Sequence, residues 1–315
     1  MPVSAVLWVS ETPERLRHRA GRAVRRAVGL SSERPEPCND PAEAYFAVDG
    51  VARIIHADLP PMLIGGLGSL FLQMLHPHTM AGVAQHSRYR DDPRGRLLQT
   101  AHFIGRTTFG STSAAKASIE RVLSVHERVR GVADDGQPYY ANDPHLLAWV
   151  HSCEVSMFLR AYQRFGAHEI SPDDANRYVY EMAKLARDLG VEDPPTTVAE
   201  LDDGLEAFRP ELRLCPDGVV ARDFVVRGFV RGSHQRFAHR LFVDSAFNLM
   251  PTWARDLLEV PTKPGASRRA VRLSTSALSS LLRLAVPPPT PVNQPGIDRR
   301  RRARPGRSRR ATTPE

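Results

Sequence analysis

The chain has 315 residues, 42% of them hydrophobic and 25% charged, with a formal net charge of +8. That length permits one large core or two small ones, and the composition excludes a disordered, collagenous or disulfide-scaffold chain. The charge is uneven. Ala266 to Glu315 carries twelve arginines against Asp298 and Glu315, and Met1 to Arg34 carries seven against three acids, which leaves −6 for Pro35 to Gly265. Attraction to polyanions therefore belongs to the two ends and not to the body.

The first twenty residues, MPVSAVLWVSETPERLRHRA, place a short apolar run before the charges and close it with Glu11 and Glu14. That order is wrong for a secretion signal, so a cytoplasmic protein is the expectation. Residues 1–39 read as a basic extension. Asp40-Pro41 has the form of an N-cap and first-turn proline, opening a helix through Ala57. Leu59 to Ser87 holds no Asp, Glu, Lys or Arg, but Pro60, Pro61, Gly65, Gly66, Gly68 and His76-Pro77-His78 interrupt it. It reads as two buried helices broken at Pro77, the first over Leu63–Leu75, and not as a membrane span.

Further helices are expected from Asp92-Pro93 to Phe109, Ser113 to Val129, Asp143-Pro144 to Phe165, and Ser171-Pro172 to Gly190. Thr197 with Glu200 is a capping box, and helices follow at 217–228, 234–247 and 251–258. Asp135-Gly136 is the one hairpin-like turn and predicts a small ribbon near 131–141. The body is one all-α domain over 40–260, with no internal repeat. Residues 261–286 read as a linker and amphipathic helix, and the Pro- and Arg-rich residues 287–315 as a disordered tail. Contact of that tail with nucleic acid or an anionic membrane is the alternative to simple solvation.

Cys38, Cys153 and Cys215 are far apart and form no CxxC, which excludes a zinc finger. In ASIERVLSVHERVRG, His126 falls in the stripe of Ile119, Val122, Leu123 and Val129. A histidine there is either a satisfied core residue or a neutral imidazole available to a metal or haem iron. Arg96 and Thr100 in RGRLLQTAHFIG share one helix face and suit an anionic group, although a surface arginine and a helix-facing threonine remain the plain alternative. His76-Pro77-His78 lacks both the HExxH pattern and the ExxH carboxylates of a di-iron bundle, so a non-haem metal site finds little support.

Over about 40–260, the pieces LHPHTMAGVAQHS, RDDPRGRLLQT, FGS, VLSVHERVRG and DGQPYYANDPHLLAWV resemble the catalytic domain shared by latex-clearing proteins (rubber oxygenases) and mycophenolic-acid-type oxygenases. The resemblance implies an all-α fold binding haem b and an oxidative, O2- or peroxide-dependent activity. It places the axial iron ligand on His126 and the Arg-x-x-x-Thr pair beside the haem on Arg96 and Thr100. Rubber oxygenases have lysine where this chain has Gln99, and a catalytic glutamate where it has Met80 and Ala81. The departures point away from polyisoprene, so the substrate is not carried over with the resemblance; the expectation is a small, largely apolar compound. On this reading residues 75–103 form the distal wall, and His76, His78 and His86 supply hydrogen bonds or helix-end contacts instead of a separate metal site. Two other readings stay open: a non-catalytic haem carrier or sensor, and a cofactor-free helical scaffold.

Overall fold

The computed structural model describes residues 19, 21–22, 37–228, 232–261 and 264–288. The helices begin with α1 (Val51–Ala57), α2 (Leu59–Gln73), α3 (Pro77–His86), α4 (Pro93–Phe109) and α5 (Thr112–His126). A two-stranded antiparallel ribbon follows, β1 (Arg130–Val132) on β2 (Pro138–Tyr140), with Gly131 opposite Tyr139. Gly136 supplies the positive φ of 78° that its turn requires. Then come α6 (Pro144–Phe165), α7 (Pro172–Asp188), α8 (Val198–Ala207), a 3₁₀ turn (Arg209–Glu211), α9 (Pro216–Arg227), α10 (Ser233–Leu249), α11 (Thr252–Leu257) and α12 (Gly265–Ala285). The domain is all-α apart from the ribbon.

The helix starts follow from local capping chemistry. Asp92, Asp143 and Ser171 accept hydrogen bonds from the amides of Gly95, His145 and Asp174, each just ahead of a proline. Ser171 with Asp174 and Thr197 with Glu200 form reciprocal capping boxes. Ser111, not Ser113, caps α5, and α5 ends at His126 before the chain turns into β1. The expected helix at Asp40 does not form. The Asp40 carboxylate instead closes a tight turn onto the Ala42 amide, and Ala44 pairs with Ser111 in an isolated bridge. The helix begins only at Val51, because Glu181 of α7 accepts from the Val51 and Ala52 amides at 3.2 and 2.8 Å. A cap supplied from α7 is invisible to a local reading.

α2 and α6 cross at the centre. A Cβ on Gly65 would stand 2.9 Å from the Met157 carbonyl oxygen and 2.7 Å from the Phe158 ring, so only glycine lets the two backbones approach this closely. Phe71, Leu72, Leu75, Trp149 and Met157 form one buried cluster, and Ile55, Val155, Phe158 and Tyr178 another. Each such side chain contributes roughly 1.5–3 kcal/mol by leaving water.

α12 packs on α10 through a buried Ser245–Thr275 hydrogen bond of 2.8 Å. It also reaches the α1–α2 junction, where Arg283 pairs with buried Asp58 at 2.7 Å. The body thus runs through Ala285, past the boundary at 260 expected from composition. The reading of 287–315 as disordered falls, from 289 on, outside the described residues, as does nearly all of the N-terminal extension. Among the described residues no single helix is long and apolar enough to cross a membrane. The α1–α2 pair passes on length and composition only when joined, and it is bent by 92°.

Candidate active site

A cavity of about 1520 Å³ opens among α2, α3, α4, α5, α6, α9 and α10. That exceeds the roughly 300–1,000 Å³ of an ordinary small-molecule pocket, so a bulky cofactor or ligand has room here. Its walls are mostly apolar, with Leu67, Leu97, Val122, Val150 and Phe158 among them. The polar residues stand out against that background. Arg96, Gln99 and Thr100 enter from α4, His126 from the end of α5, and His151 and Glu154 from α6. Arg96, Gln99, Thr100 and His126, the candidate ligand and cofactor-facing residues of the sequence reading, therefore line the same cavity.

His126 is half-buried. Its Nδ1 is sealed from solvent and completes no hydrogen bond, and neither does Oδ1 of Asn142. Asn142 is near enough to favour the protonated ring, yet its amide nitrogen donates instead to the Leu123 carbonyl at 3.0 Å. Burial pulls the His126 pKa down, and the positive charge of Arg96 adds to this. The imidazole is neutral at pH 7, with Nε2 as the nitrogen that stays accessible.

Arg96 keeps much of its surface accessible, but that surface faces the cavity. Burial lowers its pKa, and the carboxylate of Glu154 works against this. The guanidinium stays charged, because its ordinary value lies so far above neutrality. Thr100 has its hydroxyl hydrogen committed to the Arg96 carbonyl at 3.2 Å, so toward the cavity it can only accept. Gln99 offers a neutral amide.

Among the polar lining residues that the sequence reading did not single out, Glu154 and His151 stand on the central helix α6. Burial drives the Glu154 carboxyl up to about 7, with Arg96 holding it back. His151 is buried, its Nε2 has no partner, and burial pushes its pKa down to about 4. The signal was present: LLAWVHSCEVSMFL is an apolar core helix interrupted by one acid and one histidine.

The histidines around the start of α3 lie elsewhere. His76 caps α3 by accepting from the His78 amide at 3.3 Å, His78 contacts Asp135 at 3.2 Å, and His86 contacts the Tyr139 hydroxyl at 3.1 Å. None of the three lines the cavity, whereas Thr79, Met80, Val83 and Ser87 between or beside them do.

Comparison with curated proteins gives no match, and comparison with solved structures gives none. A family model described as "ER-bound oxygenase mpaB/B'/Rubber oxygenase, catalytic domain" matches residues 53–284. That span begins in α1, ends in α12 and contains every polar residue of the cavity discussed above. The chain belongs to this oxygenase family.

Proposed function

We propose that the chain is a haem b-dependent oxygenase acting on a small, largely apolar compound, with His126 as the axial iron ligand. The observation that carries this reading is the state of His126: it lines a large apolar cavity, burial keeps it neutral, its Nδ1 is sealed from solvent without a partner, and Asn142 is beside the ring. An iron-ligating histidine needs a free lone pair on one nitrogen and an acceptor near the other, and the Asn142 oxygen left without a donor fits the second need.

Haem, when bound, would supply iron-centred oxygen chemistry that no side chain can provide. The chain's own residues would do the rest. Arg96 would hold an anionic group, either a propionate or a reduced oxygen species, by charge-assisted hydrogen bonds. Thr100 would accept a hydrogen bond from a protonated group beside it. Glu154, titrating near neutrality, could hold or release a proton at its carboxylate. The apolar walls would exclude water and favour an apolar substrate.

An absorption spectrum of the purified protein tests this directly. A Soret band at one haem per chain supports it, and a colourless protein after haem supplementation ends it. Product analysis with O2 and with peroxide, over a panel of small apolar compounds, then decides between oxidants and separates an oxygenase from a haem carrier.

A further inference from the structure

Away from the cavity, three ligand-bearing side chains converge where the starts of α3 and α6 meet the 3₁₀ turn. His76 is the cap of α3, His145 the second residue of α6, and Glu211 the last of the turn. Their ligand atoms all lie within 4.8 Å of one another. The Glu211 carboxylate is 2.9 Å from Nε2 of His145 and 3.4 Å from Nε2 of His76. Donors about 2.1 Å from one tetrahedral ion stand about 3.4 Å apart; the His76–Glu211 separation matches this, and the shorter His145–Glu211 separation is a hydrogen bond that would lengthen on binding.

His76 is 3% exposed, and its Nε2 is sealed from solvent without completing a hydrogen bond. A buried polar nitrogen left this way costs stability unless something binds it. Behind it the Trp149 and Phe208 rings stand 6.4 Å away, an apolar backing. In front, His145 and Glu211 are about half exposed, which leaves a route of entry and room for water as a fourth ligand.

We propose that His76, His145 and Glu211 form a binding site for a divalent transition metal, with zinc as the best fit. Two imidazoles and one carboxylate are a set that zinc accepts, whereas magnesium and calcium call for oxygen ligands. Two proton rearrangements are needed. Nε2 of His145 stands 2.9 Å from the Glu211 carboxylate, which can only accept, so it carries a proton that metal binding moves to the other ring nitrogen or to solvent. Nδ1 of His76 accepts from the His78 amide at 3.3 Å, so the neutral ring carries its proton on Nε2. Metal binding shifts that proton to Nδ1, by way of solvent or Glu211, and releases the amide. The hydrogen bond given up is a long one, from an amide in the first turn of α3, where a helix supplies no partner of its own. The ion would join residues 76, 145 and 211, and so bind the folded chain far better than the unfolded one.

The test uses the full-length protein after dialysis against a chelator. Zinc chloride is titrated by calorimetry, retained metal is counted by elemental analysis, and thermal midpoints are read with and without zinc. The same is done for His145→Ala and Glu211→Gln, which alter only the exposed ligands and spare buried His76. The expected result is one zinc per chain, at least tenfold weaker binding in each variant, and a midpoint raised by zinc in the parent alone. Cobalt should also quench Trp149 fluorescence in the parent and not in the variants. No zinc retained by the parent, or equal retention in both variants, overturns the proposal. Haem content, read separately from the Soret band, should be the same in all three proteins, so failure of the cofactor reading leaves this test intact.

Discussion

Arg96 on α4 and Glu154 on α6 face the same cavity without forming an ion pair. The guanidinium favours the carboxylate, but burial outweighs it and leaves Glu154 titrating at about 7. The acid therefore changes protonation state close to neutral pH. Below that it can donate a hydrogen bond, and above it the carboxylate opposes Arg96. Glu154→Gln fixes the neutral form. The expected outcome is loss of an ionisation near neutrality from the pH profile of kcat/KM, with folding intact by circular dichroism. A profile identical to the parent's would remove Glu154 from the chemistry.

His126→Ala should abolish stoichiometric haem while leaving the far-ultraviolet helical signal unchanged. His126 is a C-terminal helix residue with an unpaired Nδ1, so little packing disappears with it. Full occupancy with an unaltered spectrum in the variant would mean that another residue holds the iron.

Arg96→Ala and Thr100→Ala should each lower activity, Arg96→Ala the more strongly, by about tenfold or more. Removing a charge-assisted hydrogen bond costs about 1.5–3 kcal/mol. Thr100 is committed to its own helix and has only acceptor capacity left. Gln99→Lys introduces the amine that the resemblance to rubber oxygenases would put at this position. Electron paramagnetic resonance should then show a larger low-spin ferric fraction than in the parent, where a neutral amide is a poor ligand.

Stability should fall as the solution is acidified. His56 is buried between the hydroxyls of Thr108 at 2.8 Å and Tyr178 at 2.9 Å, and burial pushes its pKa down to about 3. His151 is pushed to about 4, and burial lowers His76 and His126 in the same direction. Unfolded, these rings take up protons near pH 6.5; folded, His56 and His151 do not until about 3 and 4. The stability they contribute is whole above 6.5 and declines as pH falls, at about 1.4 kcal/mol per pH unit for each proton. Glu154, with its pKa raised, acts in the opposite sense and offsets one proton between about 7 and 4.5. Urea midpoints measured from about pH 7.5 to 4.5 should decline, and decline more steeply in Glu154→Gln.

Asp58 is 1% exposed and is held by Arg283 and the Ala167 amide. Asp58→Ala leaves Arg283, itself mostly buried, without its partner and should cost about 3–5 kcal/mol. Cutting the chain after Pro288 should leave the thermal midpoint and haem content unchanged, because the segment removed is Pro- and Arg-rich with little to bury. It should also weaken any salt-sensitive retention on DNA or anionic vesicles, since most of the surplus positive charge leaves with it. A large drop in midpoint on truncation would show that the tail packs against the body.

The sequence by itself determined the helical class, because capping signals act within one turn. Asp92, Asp143, Ser171 and Thr197 each cap the helix expected of them, and Asp135-Gly136 makes the expected turn. Periodicity and resemblance together brought forward His126, Arg96, Gln99 and Thr100, and the fold gathers all four around one cavity.

What only the tertiary structure decided rests on contacts between segments far apart in the chain. α1 starts at Val51 and not at Asp40 because its cap is Glu181. α12 belongs to the body because Arg283 reaches Asp58. Glu154 and His151 became site residues only when α6 turned that face to the cavity, since an acid in an apolar helix shows that it is costly but not what it faces. His76, His145 and Glu211 come from three separate elements, and no spacing rule could have joined them. Hydrogen bonds within a turn are legible in order along the chain; a cavity or an ion site is made where separate elements close on one another.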